Sequence, residues 1–277
     1  METFGTRLMS AISDRGPLCV GIDPHPALLR AWDLPETVAG LERFAMTTVE
    51  ALASTVAVLK PQSAFFEAYG SAGMAVLERL ISDARSAGAL VLLDAKRGDI
   101  GSTMVAYAAA YLTEGSPLAA DAVTLSPFLG FGSLQPAIQA ARASGRGVFV
   151  LAMTSNPEGP ALQHAVTADG RSVAQCIADA AARENEGETP LGSVGLVVGA
   201  TVGRTEVDLT RLNGPLLAPG LGAQGGTVDD LKVIFGSNLA AVVPTTSREV
   251  LQAGPSRRAL AGAADRLNNE LRTALAV

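Results

Sequence analysis

Cysteine is nearly absent from this chain. Cys19 and Cys176 are the whole complement, each inside an apolar segment, and they form no CxxC pair. That excludes a disulfide scaffold and leaves reduced core thiols as the expectation. Histidine is as scarce: His25 and His164 lie far apart, so a histidine metal centre has no ligand set. No Lys/Arg block occurs, and a net charge of −6 argues against general nucleic-acid binding. No run approaches the ~20 apolar residues of a membrane span. The opening METFGTRLMSAISDRG lacks the apolar core of a signal peptide, so a cytoplasmic enzyme or binding protein is expected. No GxGxxG follows the first apolar run, which weakens a dinucleotide-binding fold. No linker or compositional break divides the chain, and one domain over residues 1–277 is expected.

What is present suits a large core, since 48% of residues are hydrophobic and 17% charged. Short β-like runs recur: LCVGID (18–23), VAVLKPQ (56–62), ALVLLDAK (89–96), AVTLS (122–126), GVFVLAMTS (147–155), VGLVVGA (194–200), LLAPGLG (216–222) and AAVVPTT (240–246). Most are continuously apolar rather than alternating, as in parallel strands buried on both faces. Helical spacing lies between them: Leu41, Phe44, Ala45, Val49 and Leu52 share a face, as do Met74, Leu77, Leu80, Ile81 and Ala84. Leu260, Ala264, Leu267 and Leu271 repeat the pattern after a cap at Ser256, and Gly88 and Gly145 mark helix ends. Strands alternating with helices, at a length near the ~250 residues typical of that fold, predict a (β/α)8 TIM barrel; an open doubly wound sheet is the rival. The span 156–193 begins polar and turns helical from about Ser172 to Glu184. Its first half is either a lid over the barrel mouth or a plain surface loop.

In such a barrel the chemistry belongs at the C-terminal strand ends, and polar residues collect there. Asp23, Lys60, Asp94 with Lys96, Ser126 and Ser155 close the first five runs. Thr201, then Pro219-Gly220 with GAQGG (222–226), then Ser247-Arg248 follow the last three. Within LVLLDAKRGDI, Asp94 and Lys96 are two apart and share a face; if that face is the barrel interior, Leu93 and Ala95 face the helices. Lys60 on the adjacent strand and Asp99 beyond Gly98 would complete a row of alternating charges. An ion-paired barrel plug is the bland alternative, although buried pairs often fail to stabilise. The triplet Arg97-Gly98-Asp99 could also be an adhesion tag, which would demand an exposed loop on an extracellular chain.

Flanking carboxylates favour the ammonium form of a lysine, whereas a Schiff-base lysine needs a free amine. Lys96 therefore suits a proton donor or an electrostatic anchor. An ammonium between Asp94 and Asp99 competes with any divalent cation for the same oxygens, so no metal and no cofactor is expected. LAPGLGAQGG offers unobstructed backbone N–H groups, Gln224 adds a neutral donor and Arg248 a phosphate-matched fork. Together they form a candidate anion site where barrels often hold phosphate. A turn with a surface arginine, or a barrel that binds phosphate without catalysis, stays open.

These segments together resemble the orotidine 5′-monophosphate decarboxylases. DAKRGDI fits that family's Asp-x-Lys-x-x-Asp-Ile pattern, and GIDP, LKPQSAFFE, MTSNPEG, LAPGLGAQGG and TTSRE follow in the family's order, over roughly residues 18 to 250. KPQSAFFE and the long segment after Asn156 resemble the actinobacterial subgroup. The Asp-Lys-Asp motif is shared with magnesium-assisted sugar-phosphate decarboxylases and aldolases, which remain the alternative. The resemblance implies metal-free conversion of orotidine 5′-monophosphate to UMP, with Lys96 protonating C6 and Asp94 beside the substrate carboxylate. It implies Lys60 and Asp23 at the ribose and the charge network, and Ser155 at the pyrimidine. Gln224 and Arg248 fall at the phosphate, with Pro219 and Gly220 in the turn beside them. The family's usual Gly-Arg stands as Ser247-Arg248 here, with the arginine kept. Asp99, Ile100 and Thr103 match residues that reach a neighbouring subunit's site, so a homodimer is implied.

Overall fold

The computed structural model describes residues 2–203, 207–222 and 224–275, so Ala223 of the GAQGG run lies outside the described residues. The strands are β1 (Cys19–Ile22), β2 (Val58–Pro61), β3 (Leu90–Arg97), β4 (Ala122–Leu125), β5 (Gly147–Met153), β6 (Val194–Val198), β7 (Leu216–Pro219) and β8 (Val242–Thr246). They pair in parallel and in sequence order, and β8 returns to β1, which closes the barrel. Among the described residues a helix follows every strand except β6; with the closed parallel sheet this makes a (β/α)8 barrel and sets aside the open sheet. Each apolar run holds one strand, buried almost throughout, because one face meets the barrel interior and the other the helices. Along β3, Val91, Leu93 and Ala95 join the core under the helices, whereas Leu90 and Leu92 join a separate interior cluster.

That interior cluster is completed by an element absent from the sequence expectations. The helix Phe4–Arg15, capped at Thr3, lies under the N-terminal end of the barrel. Its residues Phe4, Leu8, Ala11 and Ile12 fall on one helical face and pack against Val58, Leu92 and Phe149 among others. Phe4 meets Phe149 edge-on at 6.0 Å between ring centroids. Arg7 fixes the helix by pairing with the buried Asp121 at 2.7 Å, where Arg85 also converges at 3.4 Å.

The expected helical faces fall on the helices Val38–Leu52, Gly70–Ser86 and Arg257–Leu275. Ser256 accepts from Ala259 N at 3.3 Å, as its capping position requires. Cys19 is buried in β1, and that burial pushes its thiol up to about 12, so it is a packing residue and not a nucleophile. Cys176 corrects the expectation of two core thiols: it is only half-buried, on the helix Val173–Glu184. No described helix is long and apolar enough to cross a membrane.

Candidate active site

A cavity of about 750 Å³ opens where the strands end in the C-terminal direction. That size suits a small-molecule ligand. Asp23, Lys60, Asp94 and Lys96 line it from the first three strands; Ser155, Pro219 and Arg248 line the far side.

Asp94 is the centre of its charge network. Lys96 Nζ donates to Oδ1 at 2.6 Å and Lys60 Nζ donates to Oδ2 at 3.2 Å. The Thr124 hydroxyl also donates to Oδ1, at 2.8 Å. Burial by itself would raise the Asp94 carboxyl, but the two ammonium groups prevail and hold it well below the usual carboxylate range. Burial would likewise lower Lys60, yet Asp94 and Asp23 outweigh it, and Lys60 is raised above an ordinary lysine. The pair Lys60–Asp94 is therefore fully charged although nearly dry, with Lys60 only 4% exposed. Lys96 differs: its side chain is 45% exposed and stands at the cavity wall.

The alternation expected for Asp94 and Lys96 holds in outcome but not in cause. The β3–β4 register runs Leu93–Val123 and then Arg97–Leu125, so residues 94, 95 and 96 stand opposite Thr124 alone. Such a bulge re-aims side chains. Lys96 takes φ +48°, a left-handed value that few residues other than glycine adopt. Gly98 follows where the chain passes so close to β4 that a Cβ would lie 2.3 Å from Ser126 O.

Asp99 does not join the charge row expected from spacing. Past the end of β3 the chain turns outward, and Asp99 Oδ1 accepts from Ile100 N at 2.7 Å. Ile100 is 62% exposed, Thr103 is exposed, and neither they nor Asp99 line the cavity. The row of four charges is thus a group of three in this chain. Ser126 and Thr201 also miss the cavity: Ser126 N is tied to Arg97 O at 2.8 Å, and Thr201 sits in an exposed turn. Arg97 turns away and is engaged by Glu67, by Tyr111 Oη at 3.3 Å and by Ala95 O at 2.9 Å. An adhesion loop would leave that arginine available.

Where β8 returns beside β1, Ser247 Oγ donates to Asp23 Oδ2 at 2.6 Å. Asp23 Oδ1 and Thr246 Oγ1 are buried at the cavity without a hydrogen-bond partner among the described residues. Such orphans point to a ligand or water that completes them. Gly220 has φ +105°, which turns the chain after Pro219 so that Gln224 also faces the cavity. Spacing did not single out Thr124, Thr246, His25, Phe65 or Asn156, which line the same cavity. His25 caps the helix Pro26–Ala31 through Nδ1, 3.2 Å from Ala27 N, and meets Phe65 edge-on. An N-cap preceding a proline was the readable signal there.

The segment after β5 is fastened at its base. Gln163, at the end of the short helix Gly159–Gln163, accepts from Thr154 N at 2.9 Å and donates to Thr154 Oγ1 at 2.7 Å. The next helix starts at the expected place, with Ser172 accepting from Gln175 N at 3.1 Å. Among the described residues, no group of three or more His, Cys, Asp or Glu is placed to hold a metal ion.

Residues 16–263 match the family described as Orotidine 5′-phosphate decarboxylase / HUMPS family. An orotidine 5′-phosphate decarboxylase of Salinispora tropica is 64% identical over 275 residues, 99% of each chain. One of Streptomyces coelicolor is 60% identical over 275 residues, again 99% of each. A crystal structure from Streptomyces avermitilis superposes with a TM-score of 0.97 at 60% identity, covering 100% of this chain and 97% of that one. The Leishmania donovani OMP decarboxylase gives 0.78 at 30% identity, covering 99% of both.

Proposed function

The chain belongs to the orotidine 5′-phosphate decarboxylase / HUMPS family, and from that premise we propose that it converts orotidine 5′-monophosphate to UMP without a metal. The magnesium-assisted sugar-phosphate alternative is disfavoured by the relatives, which share 60–64% identity with this chain over nearly all its length and are orotidylate decarboxylases. The observation that carries the chemistry is the short Lys96–Asp94 contact of 2.6 Å at the wall of an otherwise nearly dry charge network. Both Asp94 oxygens are already engaged by ammonium groups, which leaves a divalent cation little to bind.

In this mechanism the bond from C6 to the carboxylate breaks, and its electron pair stays on C6. The Lys96 ammonium lies against that position, stabilises the charge and transfers its proton to C6. Carbon dioxide leaves, and solvent reprotonates the lysine. Asp94 lies beside the departing carboxylate and holds both lysines in place. Lys60 and Asp23 hold the ribose hydroxyls, which supply a partner for the buried Asp23 Oδ1. Ser155 contacts the pyrimidine. Gln224, Arg248, the Pro219-Gly220 turn and Ser247 hold the phosphate, whose binding energy organises the site from a distance. The chain is net −6, so the dianionic end is attracted by Arg248 and the two lysines rather than by the overall field.

The enzyme works as a homodimer in which Asp99, Ile100 and Thr103 serve the site of a second copy. Their outward placement supports this, as do exposed apolar side chains on the segments that follow β3 (Ile100, Val105) and β4 (Phe128, Leu129). One domain spans residues 1–277, the protein is cytoplasmic, and neither nucleic acid nor membrane is a partner. A spectrophotometric assay with orotidine 5′-monophosphate, run with and without EDTA, tests the proposal. Turnover unaffected by EDTA, and abolished in Lys96→Ala with UMP still bound, is the expected result. Activity that EDTA removes and magnesium restores would overturn it.

A further inference from the structure

Thr124 stands where the β3–β4 backbone ladder fails beside the reacting groups. At the β3 bulge three residues face it alone, so the N–H groups of Ala95 and Lys96 have no β4 carbonyl in register. Both donate instead to Thr124 Oγ1, at 3.0 Å and 2.9 Å. A hydroxyl has two acceptor lone pairs and one proton. With both lone pairs filled, the proton has one outlet, Asp94 Oδ1 at 2.8 Å. The side chain is 1% exposed, so water does not share these bonds.

The consequences meet at Lys96. Its backbone is held at φ +48° by a bond to the same oxygen that donates to its carboxylate partner. One atom therefore sets the turn that carries the lysine and the carboxylate that receives its ammonium. We propose that Thr124 is a positioning residue for the proton donor, acting through its hydroxyl and not through its volume. This rests on the decarboxylase assignment of Lys96, and it adds a residue outside the Asp-Lys-Asp pattern.

The test compares Thr124→Ser, Thr124→Ala and Thr124→Val. Serine and alanine both lack the γ-methyl and differ only in the hydroxyl; valine keeps the shape and loses the hydroxyl. Thr124→Ser should retain kcat within about 3-fold, while Thr124→Ala and Thr124→Val lose about 10- to 100-fold, as misplacement of a catalytic group by a fraction of an ångström does. UMP affinity should stay within about 3-fold of the parent in all three, because no contact to bound nucleotide is assigned to Thr124. Amide exchange at Ala95 and Lys96 should be slow in the parent and in Thr124→Ser, and fast in the other two. Equal kcat in the serine and alanine variants would overturn the proposal, and so would an equal loss in all three. If Thr124→Val does not fold, the serine–alanine pair decides alone. A parent without orotidylate turnover would sink the decarboxylase assignment only; amide exchange would then decide the role of Thr124 by itself.

Discussion

Replacing Lys60 with methionine keeps most of the side-chain length and removes the charge. Lys60 Nζ lies 3.2 Å from Asp94 Oδ2, with both side chains at least nine-tenths buried. At that separation, an effective dielectric constant of about 20 gives roughly 5 kcal/mol of attraction. Removing one partner of a buried pair typically costs ~3–5 kcal/mol. Asp94 would keep Lys96 and Thr124, so the lower end, about 3 kcal/mol, is expected. For a chain of this size that is a fall in Tm of roughly 6 °C at neutral pH. The pH dependence gives a sharper signature. In the parent, burial tends to raise the Asp94 carboxyl, but Lys60 and Lys96 hold it low. Its stabilising share is therefore present above the unfolded value near ~4 and fades only as pH falls towards the lower folded value. Without Lys60 burial regains weight, and the acid-side loss should begin at higher pH than in the parent. Lys60 itself is raised on folding, because Asp94 and Asp23 outweigh burial. Its share is present below about pH 10.4 and is lost above it, so the gap between parent and Lys60→Met should narrow in alkali. Thermal unfolding by circular dichroism from acid to alkaline pH reads all three features. An unchanged Tm at neutral pH, or a gap that stays constant in alkali, would refute the pairing as a stabilising element.

Phe4→Ala should cost about 3–5 kcal/mol by opening a cavity under the barrel, read as a lower denaturant midpoint, with KM unchanged; an unaltered midpoint would remove the floor role of Phe4. Arg248→Ala should raise the dissociation constant for UMP about 10- to 100-fold, the worth of a charged hydrogen bond, and leave uridine binding unchanged; equal effects on both ligands would move the phosphate elsewhere. Lys96→Ala and Asp99→Ala should each be inactive alone, yet regain turnover when mixed under conditions that allow subunit exchange. No recovery from a mixture that does form mixed dimers would confine Asp99 to its own chain.

The barrel was legible because most of its strands fall in short, largely apolar runs, the pattern that burial on both faces of a parallel strand imposes. The cavity rim was legible for a related reason: Asp23, Lys60, Asp94 and Ser155 stand where apolar runs stop, and the fold brings those stops to one mouth. Thr124 was hidden because its importance depends on a bulge in β3, and no periodicity encodes two residues added to one strand. Asp99 was drawn into the charge row by spacing, which carries no information on where the chain leaves the strand. The helix Phe4–Arg15 has a clear amphipathic face, but nothing local in it says that this face belongs under a barrel. That is a long-range fact, written only in the interior side chains it meets.

Because that helix stoppers the barrel from below, the cavity resembles a bottle with one neck. The cavity opens Lys60 and Asp94 to water from above, past the atoms that a ligand would cover. A ligand in the neck would thus be its own seal. As it settles, the medium around the buried ion pair becomes less polarisable, and each charge contact there strengthens without any side chain having to move. The apolar floor, remote from every reacting atom, in this way sets how strongly the charges above it can act.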